Sequence, residues 1–298
     1  MRGRNRYFGC YTALVTPFDA EGRVDGEALD RHVDDQIAAG VQGLVPCGTT
    51  GESPTLTHEE HRDVIRRVVE RVAGRVPVIA GCGSNSTDEA LSLTRFAVEV
   101  GADATLQVAP YYNKPSQEGL YRHFEAIAKA SARPVVLYNV PGRTGVNVAP
   151  ATVARLFKLE TVVAVKEAAG SVDQVSEIFD LCEIDVLSGD DNLTLPMLAV
   201  GAIGVISVAS NVVPADVVAL VQRFRDGRHE EAQAHHRRLF QLVRALFIEG
   251  NPTPVKAALA FLGRGNGVLR LPLVPLEEKN AARLRAALVT YGLLERPG

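Results

Sequence analysis

Positive charge is not in excess here: 32 lysines and arginines face 35 aspartates and glutamates in 298 residues, a formal net charge of −3. A nucleic acid or an anionic membrane surface is met by a basic surplus, so neither is an expected partner. Long apolar runs are missing as well. Nowhere do about eighteen apolar residues follow one another, which excludes a membrane-spanning helix. The arginines of "MRGRNRYFGC" precede an apolar stretch too short for the core of a secretory signal. Cysteine is sparse and scattered. Cys10, Cys47, Cys82 and Cys182 form no C-x-x-C pair, and in a chain this long they are expected to be reduced, buried small residues. A phosphate loop is absent too: "GCGSNS" lacks the third glycine of the dinucleotide fingerprint, and "GTTGES" lacks the P-loop lysine. Neither a low-complexity linker nor a convincing internal repeat is found. These absences leave a soluble, cytoplasmic globular protein as the expectation.

Hydrophobic residues make up 46% of the chain and charged residues 22%, ordinary values for a globular enzyme. The length suits one large α/β barrel or two smaller domains. Short apolar runs alternate with longer stretches of helical periodicity. The strand candidates are "CYTALVTPF", "GVQGLVPCG", "VPVIAGCG", "ATLQVAP", "PVVLYNV", "VVAVKEA", "IDVLSGD" and "AIGVISVAS". Between them lie helix patterns such as "LTHEEHRDVIRRVVERVAG", opened by a capping box from Thr57 to Glu60, and "SQEGLYRHFEAIAKASA". Eight strands each followed by a helix predict an α/β fold, a (β/α)8 TIM barrel. A doubly wound sheet is the alternative, but it normally brings the glycine-rich loop that is missing. From Gly227 the strands stop, and three helical stretches follow. The expected organisation is a catalytic barrel over 1–226 and a C-terminal three-helix extension over 227–298.

In "TVVAVKEAAGS" a lysine, Lys166, ends a run otherwise built like a buried parallel strand. Barrel strands alternate their side chains between interior and helices, and catalytic groups sit at the carboxyl ends of strands. Lys166 shares parity with Val162 and Ala164 near the end of the sixth strand. Tyr138 shares parity with Val136 near the end of the fifth, and Thr49 and Thr50 follow the second in "CGTTGE". Each alone has an ordinary explanation. Strand-end lysines commonly snorkel or pair, lone tyrosines are usually core, and "GTTG" is a turn. Glu167 is not an obvious partner, because strand neighbours point to opposite faces. An amine, a phenol and hydroxyls at one barrel mouth nevertheless favour a site. An amine withdrawn from water loses its proton more readily and attacks carbonyls. Consecutive N–H groups around "GTTGE" suit a carboxylate, and hydroxyls can relay protons. This is keto-acid aldolase chemistry.

"GTTGESPTLTHEEH", "PYYNKPSQEGLYRHF", "LYNVPGRTG", "VKEAAG", "LSGDD", "GVISV" and "NPTPVK" resemble the dihydrodipicolinate synthase family across nearly the whole chain. Lysine in "VKEA" and tyrosine in "YNVP" mark a wider superfamily that includes sugar-acid lyases, whereas "GTTGE", "PYYN" and "PGRTG" point to the synthases. The resemblance implies that Lys166 forms a Schiff base with pyruvate, so that no metal or organic cofactor is required. It implies that Tyr138, Thr49 and Tyr112 relay protons, with Tyr112 delivered from a neighbouring subunit of a homotetramer built as a dimer of dimers. Thr50, with Thr49, would hold the pyruvate carboxylate, and Arg143 would clamp that of L-aspartate 4-semialdehyde. Gly189 and Ile206 match positions whose backbones line the pyruvate pocket. A lyase acting on a sugar acid and a non-catalytic barrel are the competing readings.

"HEEH" from His58 to His61 has its histidines three apart rather than the four of a zincin helix, with no obvious third ligand, so a surface pair is favoured over a metal. The resemblance implies a further use. In family members inhibited by L-lysine, that ligand binds at residues matching Ser53, His58, His61, Asn85, Glu89 and Tyr111. Pro54 stands where such relatives often carry alanine; as a carbonyl acceptor it is equivalent.

Overall fold

The computed structural model describes residues 7–295. Its strands are β1 (Gly9–Ala13), β2 (Gly43–Val45), β3 (Ile79–Gly81), β4 (Ala104–Val108), β5 (Val135–Asn139), β6 (Val162–Glu167), β7 (Asp185–Ser188) and β8 (Gly204–Ser207). Seven fall inside the expected apolar runs, and β1 begins one residue before its run, at Gly9. They pair in parallel in the order β2-β1-β8-β7-β6-β5-β4-β3. The two ends of that order meet through a parallel bridge between Leu44 and Val78, where the Leu44 N–H donates to the Pro77 carbonyl at 3.0 Å. The sheet therefore closes into a barrel. Strands β2 and β3 keep only three residues each. Pro46 follows the one and Pro77 precedes the other, and a proline has no N–H to continue a ladder.

Helices α1 (Gly26–Ala38), α2 (His58–Val72), α3 (Thr87–Glu99) and α4 (Gln117–Ala130) follow the first four strands in turn. A single turn, α5 (Pro141–Thr144), and α6 (Pro150–Phe157) follow β5. Then come α7 (Val172–Leu181), α8 (Thr194–Ala199) and α9 (Pro214–Arg225), each after its strand. The capping box of α2 is present: Thr57 Oγ1 accepts the Glu60 N–H at 3.2 Å, and the Glu60 carboxylate accepts the Thr57 N–H at 2.9 Å. Beyond the barrel lie α10 (His229–Leu246), α11 (Thr253–Phe261) and α12 (Glu278–Tyr291).

Tyr11, Ile79, Leu106, Val136, Leu187 and Ile206 fill the barrel interior. Outside it, one apolar cluster runs from Cys10 and Leu44 through Ile65 of α2 to Leu242, Val255 and Leu288 of the extension. The extension thus shares a core with β1–β3, β8 and the helices outside them. Among the described residues no helix is long and apolar enough to cross a membrane. Cys10, Cys47 and Cys82 are buried free thiols; Cys182, at the end of α7, is only half-buried, contrary to expectation.

One parity expectation fails. Val162 lies on the helix side, whereas Val163 and Ala164 both face the barrel interior. The register between β5 and β6 slips between Val135 and Val136, so that Val135 pairs with Val162 and Val136 with Ala164. An extra residue in one strand shifts its phase by one. Beyond the slip the alternation is regular, and Lys166 shares the inward face of Ala164.

Candidate active site

Lys166 and Tyr138 are register partners on adjacent strands. The Lys166 Nζ lies 4.2 Å from the centroid of the Tyr138 ring, a cation–π approach, and the two residues are 5% and 6% exposed. The amine is thus buried at the end of β6 beside a phenol. Glu167, next in sequence, turns away: it accepts from Asn139 Nδ2 at 3.0 Å, from the Ala169 N–H at 2.8 Å and from Gln174 Nε2 at 3.1 Å. Burial raises its carboxyl above the ordinary value, against those three donors. Nearer the amine are Asp190 and Asp191. Both carboxyls are pushed up by burial and drawn back by the Lys166 charge. Asp191 accepts from the Ser207 hydroxyl and from the N–H groups of Val208 and Ala209, at 2.9 and 3.1 Å. Gly189 allows this close approach, since a Cβ there would meet Lys166 Cε at 3.1 Å and Ala168 Cβ at 2.7 Å. Ile206 lies on β8 in the barrel interior.

After β2 the chain turns sharply. The N–H groups of Gly51 and Ser53 donate to the Gly48 carbonyl at 3.1 and 3.4 Å, and that of Glu52 to Thr49 at 3.2 Å. The amides of Thr49 and Thr50 make no such bond among the described residues, so they are the part of the nest free for an anion. Thr50 is buried, and its Oγ1 accepts from Asn251 Nδ2 at 2.9 Å. The loop is pinned from behind. Lys256 Nζ stands 2.6 Å from Glu52 Oε1 and 2.9 Å from the Thr16 carbonyl, and burial lowers its pKa while Glu52 opposes the fall. Arg143, exposed on α5, donates to the Asn251 carbonyl at 3.1 Å. Its short helix begins at Pro141 and is capped after Thr144 by Gly145, whose φ of 73° is a left-handed conformation that glycine adopts without strain.

Tyr112 is not brought to this group within the chain: it stands 90% exposed, with a φ of 73°, in the loop after β4. Of the residues expected to bind L-lysine, His58, His61 and Glu89 gather elsewhere, between α2 and the start of α3. His58 Nδ1 lies 3.6 Å from Glu89 Oε1, and the Ser84 hydroxyl donates to Glu89 Oε2 at 2.7 Å. Asn85 Nδ2 donates to the Tyr111 carbonyl at 3.2 Å, so one of its donors is spent on the loop after β4. The expected surface pair does not hold, since only His58 is exposed: His61 is buried with Nε2 at 2.7 Å from the Gly81 carbonyl, and burial lowers its pKa. Ser53, half-buried, opens a 3-10 turn over Ser53–Thr55 that includes Pro54. Among the described residues no group of three His, Cys, Asp or Glu side chains is placed to hold a metal.

Four polar residues at the site escaped assignment from sequence. Asp190 and Asp191 stand in "LSGDD", and Asn251 and Lys256 in "NPTPVK"; in both stretches polar side chains interrupt or border apolar runs, the available signal.

The model of the Dihydrodipicolinate synthetase family matches residues 6–290. The 4-hydroxy-tetrahydrodipicolinate synthase of Pelobacter propionicus is 56% identical over 288 residues, 96% of this chain and 99% of its own. A solved dihydrodipicolinate synthase superposes with a TM-score of 0.95 at 50% identity, covering 96% of this chain and all of the other, 100%. Two further structures have TM-scores of 0.94: that of Acinetobacter baumannii complexed with pyruvate, 41% identical over 96% of this chain and 99% of its own, and that of Cyanidioschyzon merolae with lysine bound, 43% identical over 97% and 99%.

Proposed function

The chain belongs to the dihydrodipicolinate synthetase family, and we propose that it condenses pyruvate with L-aspartate 4-semialdehyde through a Schiff base on Lys166. The product is 4-hydroxy-tetrahydrodipicolinate, and the reaction is the first committed step toward diaminopimelate and lysine. The observation that carries the catalytic assignment is the buried Lys166 amine over the Tyr138 ring at 4.2 Å, beside Gly189.

The Lys166 amine attacks the keto carbon of pyruvate, and loss of water leaves an iminium. Thr49 and Thr50 hold the carboxylate through their amides and hydroxyls. The iminium draws electrons from the neighbouring methyl carbon, which loses a proton to give the enamine. Because the iminium is the electron sink, no metal or organic cofactor enters the scheme. Tyr138, Thr49 and Tyr112 pass the protons that water loss and enamine formation require. The enamine carbon then bonds to the aldehyde carbon of the semialdehyde, whose carboxylate Arg143 holds, and the aldehyde oxygen takes a proton from the relay to become the 4-hydroxyl. The substrate amine attacks the imine carbon, closes the ring and expels Lys166. Gly189 and Ile206 line the pyruvate pocket.

Tyr112 comes from a neighbouring subunit in a homotetramer built as a dimer of dimers; its exposure of 90% supports that role. L-lysine binds as an inhibitor at Ser53, His58, His61, Asn85, Glu89 and Tyr111, and the lysine-bound relative supports this reading, as the pyruvate complex supports the substrate. The enzyme works in the cytoplasm, as a barrel over 1–226 with an extension over 227–298 whose last three residues, like the first six of the chain, lie outside those described.

Borohydride with pyruvate tests the assignment. It is expected to inactivate the enzyme and to leave a reduced pyruvyl adduct on Lys166, located by peptide mass spectrometry. An adduct on another lysine, or none on protein that turns over, overturns it.

A further inference from the structure

Asn251 lies at the turn between α10 and α11, 7% exposed, and it touches Thr50 and Arg143, two of the residues to which a substrate carboxylate was assigned. Its side-chain Nδ2 donates to Thr50 Oγ1 at 2.9 Å across 201 residues of sequence. Its main-chain carbonyl accepts from the Arg143 guanidinium at 3.1 Å. Meanwhile its Oδ1 is buried and has no partner among the described residues. An unpaired buried acceptor is costly, and an apolar side chain of similar shape avoids it. What an apolar side chain cannot supply is a directed donor.

That direction matters to the chemistry. A threonine hydroxyl has one proton and two lone pairs. When Asn251 occupies a lone pair, the Thr50 proton is turned away from the amide and is free to be donated to an anion. Without the amide the hydroxyl rotates at will, and aligning it falls to the substrate. Arg143 gains in a comparable way. It stands exposed on a four-residue helix, and a fixed carbonyl holds one edge of its guanidinium while the other donors remain available. The platform is itself rigid: the Thr253 N–H closes the turn on Gly250 at 3.0 Å, and Lys256 on the following helix grips Glu52 at 2.6 Å.

We propose that Asn251 is a positioning residue whose amide aims the Thr50 hydroxyl at pyruvate, from a turn whose main-chain carbonyl also bonds Arg143. The inference rests on the roles given to Thr50 and Arg143 above.

A double-mutant cycle tests it. Asn251→Ala, Thr50→Val and the double variant are compared for pyruvate KM, semialdehyde KM, kcat and borohydride trapping. Asn251→Ala is expected to raise pyruvate KM about five- to tenfold, the worth of one net hydrogen bond, with a smaller change in kcat. Because the amide acts through the hydroxyl, the double variant is expected to be no worse for pyruvate than Thr50→Val alone. A wild-type pyruvate KM in Asn251→Ala, or losses that simply multiply in the double variant, overturns the proposal. If Asn251→Ala does not fold, isosteric Asn251→Asp enters the same cycle. Its carboxylate accepts where the amide donated and so takes the Thr50 proton away from pyruvate, an effect expected only with Thr50 present; a loss of equal factor in both Thr50 backgrounds overturns the proposal. Wild-type trapping at Lys166 separates the two levels of inference. Its absence defeats the Schiff-base reading, whereas normal trapping with no coupling defeats only the role of Asn251.

Discussion

Lys256→Met removes the cation of a buried pair while keeping most of its hydrophobic volume. In the folded protein the ammonium stands 2.6 Å from Glu52 Oε1 and 4.1 Å from the centre of the Phe18 ring, with the side chains 4% and 0% exposed. Losing it strands the Glu52 carboxylate in the interior, where the Arg270 N–H at 3.2 Å and the Arg270 charge remain to support it. Orphaning one member of a buried pair typically costs about 3–5 kcal/mol. The expected signature is therefore a loss of about 3–5 kcal/mol at pH 7. This lowers the melting temperature by roughly 6–20 °C for a chain of this size. Calorimetry and urea denaturation of variant and wild type read it directly. Adding Glu52→Gln removes the stranded charge and is expected to recover most of the loss. A difference below about 1 kcal/mol refutes the view that this pair holds the loop carrying Thr49 and Thr50.

Arg143→Ala is expected to raise the semialdehyde KM about ten- to a hundredfold, from roughly 1.5–3 kcal/mol of charge-assisted bonding, with much less effect on pyruvate trapping; equal loss of both rules out its assigned role. Millimolar L-lysine is expected to inhibit the wild type and to lose that effect in Glu89→Ala, and a flat wild-type response in a steady-state titration reduces the His58–Glu89 cluster to packing. Burial lowers His123 from 6.5 to about 4, its ring bonded at 2.9 Å to Thr87 Oγ1 and packed edge-on against Phe124. The folded state then binds fewer protons than the unfolded one between those values. Its stability contribution is complete above pH 6.5 and is lost as pH falls toward 4, by up to about 3 kcal/mol. His123→Gln is expected to flatten that part of the melting-temperature profile, and an unchanged slope in the variant contradicts it.

Much of this protein is determined by its sequence alone. The eight apolar runs, the capping box at Thr57 and Glu60, and the inward positions of Tyr138 and Lys166 depend on local periodicity and local bonding, which any short stretch of chain displays by itself. Tertiary structure decided what lies between those stretches. The slip at Val135 and Val136 reverses Val162, because strand phase depends on a neighbour's register as well as on the strand's own pattern. Asn251 and Lys256 belong to the site only because the extension packs into the barrel core and carries them to a loop some 200 residues earlier, 201 for Asn251 to Thr50 and 204 for Lys256 to Glu52. Periodicity cannot anticipate such pairings. A buried donor or charge takes its meaning from its partner, and the partner is chosen by closure of the whole fold.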